Sequence, residues 1–246
     1  MNSRSWIGIL AAAVVVFAGL NFWQWQRSSS VELSDREITD RFAVLWGHGE
    51  DTWRKNSFLG IRTLQNPFDV WVTFEIIHKV KPDVIVETGT LYGGSAALWA
   101  MFLEQVNPEG RVITIDIEDK SAEARELTIW RRRVDHLIGS STAPEIVEEV
   151  RRRVAGKRVL VILDSMHNMH HVLDELRAYA PMVPRDSYIV VQDSAMNGHP
   201  VAPDYGPGPY EAVEAFRAET DDFVPDRSRE RHMMTNNPMG FLERVR

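Results

Sequence analysis

Five short apolar runs, at 83–87, 111–116, 134–139, 158–164 and 187–193, recur along the chain, and segments of helical spacing at 92–105, 121–132, 144–154 and 168–180 lie between them. Runs whose centres are largely continuous in apolar residues, rather than alternating with polar ones, belong to strands covered on both faces. Strand and helix in strict alternation then build a parallel, doubly wound α/β sheet. In such a sheet the small-molecule site opens at the carboxyl ends of the strands. The side chains that follow each strand are therefore where function is to be sought.

The first run leads into Asp83-Val-Ile-Val-Glu-Thr-Gly-Thr-Leu-Tyr-Gly-Gly-Ser95. Gly89, Gly93 and Gly94 let backbone come close to a ligand where a Cβ would collide. Glu87 stands at the strand tip, and Tyr92 and Ser95 flank the last glycines. The spacing G-x-x-x-G-G is not the G-x-G-x-x-G of a dinucleotide site, and an acidic tip repels a pyrophosphate. It suits a cofactor with a positively charged amino-acid end, such as S-adenosylmethionine (SAM); the competing reading is an ordinary tight turn with an incidental Glu. Asp116 closes the second run, a place that suits a ribose diol, although with Ile117, Glu118 and Asp119 it also reads as the start of a solvated loop. Ser140, in Gly139-Ser-Ser-Thr142, is placed to meet an adenine edge; Thr142 is equally suited to cap a helix at Pro144.

The fourth run ends in Asp164-Ser-Met-His167 and the fifth in Gln192-Asp193. Neighbouring strand ends bring Asp164, Gln192 and Asp193 together as oxygen ligands for a hard cation such as Mg²⁺. His167 faces the same space and is suited to take a proton near neutral pH. The bland alternatives are Asp164 as a helix cap and His167 as a surface histidine. The Pro- and Gly-rich stretch 198–209 reads as a loop placed to wall or cover an acceptor, with Tyr205 and Tyr210 either packing on a sugar face or anchoring the loop.

The flanks add organisation. From Trp6 to Trp25 the chain is nearly all apolar, close to the roughly 20 residues of a membrane-spanning helix. The bulky Asn21-Phe-Trp-Gln-Trp-Gln at its end, after Leu20, offers no signal-peptidase site, which favours an uncleaved anchor over a signal peptide. Arg27, Arg36 and Arg41 on its carboxyl side, against Arg4 on the other, lean by the positive-inside rule towards a cytoplasmic C-terminal domain. Residues 1–27 thus read as a single-pass anchor, 28–81 as a linker and helical cap, and 82–246 as the catalytic domain. A net charge of −7 argues against a nucleic-acid partner, and Arg131–Arg133 and Arg151–Arg153 read as solvated helix ends. Absence of cysteine excludes disulfides and thiolate metal sites. A homo-oligomer is compatible with the chain.

Glu87-Thr-Gly-Thr-Leu-Tyr-Gly-Gly-Ser95, Asp164-Ser-Met-His167, Val190-Val-Gln-Asp193, Asn197-Gly-His-Pro-Val201, Gly206-Pro-Gly-Pro-Tyr-Glu-Ala-Val213 and Asn237-Pro-Met-Gly-Phe-Leu242 resemble the family of rhamnosyl O-methyltransferases and cephalosporin hydroxylase-like proteins. The resemblance covers residues 45 to 246. It implies a Rossmann-like class I methyltransferase fold and SAM-dependent methylation of a hydroxyl on a sugar, glycolipid or related natural product. It also implies a divalent metal on Asp164, Gln192 and Asp193, with His167 as general base. The family pattern has Glu where this chain has Gln192, so the site loses one negative charge and metal affinity should fall. Two other roles are compatible with the resemblance: antibiotic tailoring of the cephalosporin type, and a membrane-tethered binding protein that keeps the fold without turnover.

Overall fold

In the computed structural model the described residues are 15–24 and 33–246. The chain divides into two compact units, Met1–Ile38 and Thr39–Arg246. The second holds a seven-stranded sheet and the helices around it. In chain order the elements are α1 (Asp35–His48), a hairpin of β1 (Ser57–Phe58) and β2 (Ile61–Arg62), α2 (Pro67–Val80), β3 (Val84–Thr88), α3 (Gly94–Val106) and β4 (Arg111–Asp116). They continue with α4 (Thr128–Arg133), β5 (Val134–Ile138), α5 (Pro144–Val154), β6 (Val159–Leu163), α6 (Met169–Tyr179), β7 (Tyr188–Val191), α7 (Pro209–Glu219), β8 (Phe223–Pro225) and β9 (Phe241–Arg244).

The strand order is β5-β4-β3-β6-β7-β9-β8. The first five are parallel, with Val84 of β3 opposite both Arg111 and Val159. β9 runs antiparallel between β7 and β8. The continuous apolar runs have the cause expected of them. Val84 and Val86 face α5, α6 and α7 through Val150, Leu176 and Val213, while Ile85 faces α2 and α3 through Ile76 and Trp99. Because α2 buries Val72, Ile76, Ile77 and Val80 on the sheet, the segment read as a cap is one of the sheet's own covering layers. From β3 the chain first builds outward to β4 and β5, then returns to the other side with β6 and β7. That reversal opens a crevice above the carboxyl ends of β3, β4 and β6.

Three expectations change. The helix expected at 121–132 is a single 3₁₀ turn, Ala124–Glu126, followed by the short α4, because Leu127 between them is extended at φ −68°, ψ 134°. The antiparallel β8 and β9 were not anticipated; β9 has only four residues, too few for a periodic signal. Of the apolar segment Trp6–Trp25, residues 15–24 are helical and the remainder lies outside the described residues. Among the described residues no helix is long and apolar enough to cross a membrane.

Candidate active site

The glycine turn is built for closeness. Gly89 has φ +89°, donates its N–H to the Ile115 carbonyl at 2.8 Å, and would carry a Cβ only 2.0 Å from the Asp164 carbonyl oxygen. One residue thus locks the ends of β3, β4 and β6 together, and only glycine can occupy it. Gly93, left-handed at φ +81°, opens α3 and packs against Trp130, where a Cβ would lie 2.6 Å from the ring. Over these strand ends lies a cavity of about 500 Å³, within the range of small-molecule sites.

Gly89, Tyr92, Ser95, Asp116 and Ser140 all line this cavity. Asp116 also ties its surroundings, accepting the N–H of Leu91 at 2.8 Å and of Glu118 at 3.2 Å. The Tyr92 hydroxyl accepts from Arg62 at 2.9 Å, with the guanidinium 4.4 Å over the ring. The capping alternative for Thr142 fails, since α5 begins after Ala143 with no side-chain cap.

Glu87 and Gly93 do not reach the cavity wall. Glu87 is wholly buried and accepts from Trp99 Nε1 at 3.0 Å and from the Thr114 hydroxyl. Burial pushes its carboxyl up to about 7. The strand tip thus turns its acid inward, onto α3 and β4, instead of offering it to a ligand. Gly93 serves as the left-handed start of α3.

At the other end of the cavity, three side chains converge. His167 Nε2 lies 3.3 Å from Asp164 Oδ1 and 3.3 Å from Asp193 Oδ2, and one ligand atom from each residue falls within 4.8 Å of the other two. Gln192 lines the same space. Burial works against a charge on His167, but the bond to Asp164 and the field of Asp193 outweigh it and hold the imidazole protonated up to about 9. Burial, aided by Asp193, drives the Asp164 carboxyl upward. Asp193 itself sits at φ +56°, an unusual conformation for a non-glycine residue. Its N–H donates to Asn237 Oδ1 at 3.0 Å.

Several contributors were not foreseen. Gln65 Nε2 donates to Asp164 Oδ2 at 2.8 Å. Asp69 accepts from Thr235 Oγ1 and, at 2.7 Å, from the Asn236 N–H; burial pushes its carboxyl up to about 7. Asn236 Nδ2 reaches Asp193 Oδ1 at 3.4 Å. Beneath the cavity, the fully buried Glu175 accepts from Ser141 and, at 2.7 Å, from Ser165, joining the loops after β5 and β6. The one available signal was Asn66-Pro67, a cap followed by proline at the start of α2, which announces a helix but no site.

The loop after β7 contributes less than expected. Met196 and Val201 line the cavity, but Tyr205 does not and is exposed. Tyr210 stacks on His199 at 3.8 Å. Glu211 gathers the loop, accepting from Asn197 at 2.8 Å, His199 at 3.0 Å and the Gly208 N–H at 2.7 Å. Tyr210 is therefore a loop anchor.

Comparison with known proteins agrees with this architecture. A family profile, rhamnosyl O-methyltransferase/CmcI, matches residues 50–245. The rhamnosyl O-methyltransferase of Mycobacterium tuberculosis (strain H37Rv) is 39% identical over 206 residues, covering 81% of this chain and 82% of the relative. Among solved structures, the apo form of CmcI superposes with a TM-score of 0.60 at 20% identity, covering 78% of this chain and 77% of that one. A CmcI structure with Mg and SAM gives 0.58 at 20% identity, covering 78% of each. At such identity these two structures speak for the fold, while profile and sequence relative speak for descent. The chain belongs to the rhamnosyl O-methyltransferase/CmcI family.

Proposed function

We propose that the protein, a SAM-dependent O-methyltransferase, methylates a hydroxyl of a rhamnosyl or related sugar on a lipid-linked or other natural-product acceptor, on the cytoplasmic side of a membrane held by its N-terminal segment. One observation carries the reading: a glycine-walled cavity at the sheet's switch point ends in Asp164, His167 and Asp193. The relative with 39% identity bears the name rhamnosyl O-methyltransferase, which is the reason for naming that sugar.

SAM, when bound, supplies a methyl group already activated as a sulfonium. The cavity's size suits it, and Asp116 and Ser140 are available for its ribose and base. What remains for the protein is alignment and handling of one proton. Two carboxylates converging beside the Gln192 amide, with no sulfur, fit a hard divalent cation such as Mg²⁺. Asp164, Asp193 and the Gln192 amide oxygen would hold it, and the chemistry supplied there is polarisation of the acceptor hydroxyl.

His167 accepts the hydroxyl proton at Nε2, and it does so only when neutral. With both carboxylates turned on it, the imidazole stays protonated up to about 9 and is an acid. Engaging Asp164 and Asp193 elsewhere removes that restraint and frees the nitrogen as a base. Met196 and Val201 add apolar wall to the same cavity.

Calorimetric titration with SAM, with and without Mg²⁺, tests the assignment. Binding at one site per chain is expected in both conditions. A protein that binds no SAM in either would overturn the proposal.

A further inference from the structure

We propose that Asp69 is a positioning residue that, through the turn Thr235–Asn237, holds Asp193 at cation-binding distance from Asp164. This rests on the metal-assisted reading above. Asp164 and Asp193 follow different strands, β6 and β7, and each is approached from the same place, the amino-terminal turn of α2. Gln65, just before that helix, donates to Asp164 Oδ2 at 2.8 Å. Asp69, in its first turn, accepts from Thr235 Oγ1 and from the Asn236 N–H at 2.7 Å.

That pair of bonds fixes a turn which grips Asp193 twice. Asn236 Nδ2 lies 3.4 Å from Asp193 Oδ1, and Asn237 Oδ1 accepts the Asp193 N–H at 3.0 Å. Asn66 Nδ2, 3.4 Å from Asn236 Oδ1, steadies the amide between them. Asp193 sits at φ +56°, a left-handed conformation that Asp tolerates better than most residues, and the two bonds hold it there. Asp69 is only 3% exposed and, although it lies in the cavity wall, it spends both carboxylate oxygens on the turn. One helix start therefore spans both carboxylates and sets their separation.

The test uses the full chain and Mn²⁺ alone as probe, followed by calorimetry, with SAM affinity and melting temperature measured beside it. Asp69→Ala should weaken Mn²⁺ binding by roughly 10–100-fold, the usual cost of losing a group that orients a metal ligand, while SAM affinity holds. Asn236→Ala, which leaves α2 intact, should do the same and carries the test if Asp69→Ala does not fold. Asp69→Asn can still accept from Asn236 and bond Thr235, so it should recover Mn²⁺ affinity to within about threefold of wild type. Undisturbed Mn²⁺ binding in Asp69→Ala or Asn236→Ala overturns the proposal. So does an Asp69→Asn variant as impaired as Asp69→Ala. A wild type that binds SAM but no Mn²⁺ overturns this proposal and the metal reading together, leaving cofactor binding standing.

Discussion

His167 faces Asp164 and Asp193 at 3.3 Å each, so its proton reports directly on the state of the two carboxylates. Its folded pKa, about 9, lies above the ordinary 6.5. The stabilisation from this charge is therefore complete below pH 6.5 and is lost as pH rises through about 9. NMR titration of the metal-free protein should show an imidazole titrating near 9, moving down when Mg²⁺ is saturating; an imidazole that ignores Mg²⁺ would separate it from the metal site. His167→Ala should lower turnover by about 10²–10⁴-fold, the range for a general base, with SAM affinity nearly unchanged. Glu87 makes the opposite case, a site candidate that the fold consumed. Its carboxyl is raised from 4.5 to about 7, so its contribution to stability is full below pH 4.5 and declines as pH rises through 7. Glu87→Gln should remove a pH-dependent loss on the order of 2–3 kcal/mol between pH 5 and 8, seen by urea unfolding, and leave SAM affinity intact. Loss of SAM binding in that variant would return Glu87 to the site.

At the scale of elements, Gly89 couples three strand ends to the chemistry. Gly89→Ala sets a Cβ 2.0 Å from the Asp164 carbonyl and demands a positive φ of alanine. It should lower stability by about 1–2 kcal/mol from backbone strain alone, and by displacing Asp164 it should weaken Mg²⁺ binding as well. A Gly89→Ala variant that stays fully active and fully stable would contradict the packing described. The parallel strands were legible because burial on both faces writes an unbroken apolar run, as in Val159–Leu163. Asp164, His167 and Asp193 were legible for a related reason: a parallel sheet puts every strand's last residue at the same end. Gln65 and Asn236 were not. Gln65 meets Asp164 from 99 residues away, and Asn236 meets Asp193 from 43, distances over which a sequence carries no period. The 121–132 segment failed for a local reason, since one extended residue, Leu127, divides what the apolar spacing joins.

For the whole molecule, topology brings the two groups of candidate residues to one cavity. The order β5-β4-β3-β6-β7 puts Asp116 and Ser140 on one side of β3 and Asp164, His167 and Asp193 on the other. If Asp116 and Ser140 hold the ribose and base as proposed, the β6 side of the cavity, with Asp164, His167 and Asp193, would be left for the acceptor. Family membership and this layout support the same transfer. The most direct measurement is incubation of the full chain with SAM carrying a labelled methyl group and a total lipid extract, comparing wild type with His167→Ala. A labelled, sugar-bearing product is expected from wild type, and about 10²-fold less from the variant at equal SAM occupancy. Wild-type protein that binds SAM yet labels nothing, or a variant that labels as fast as wild type, would contradict that expectation.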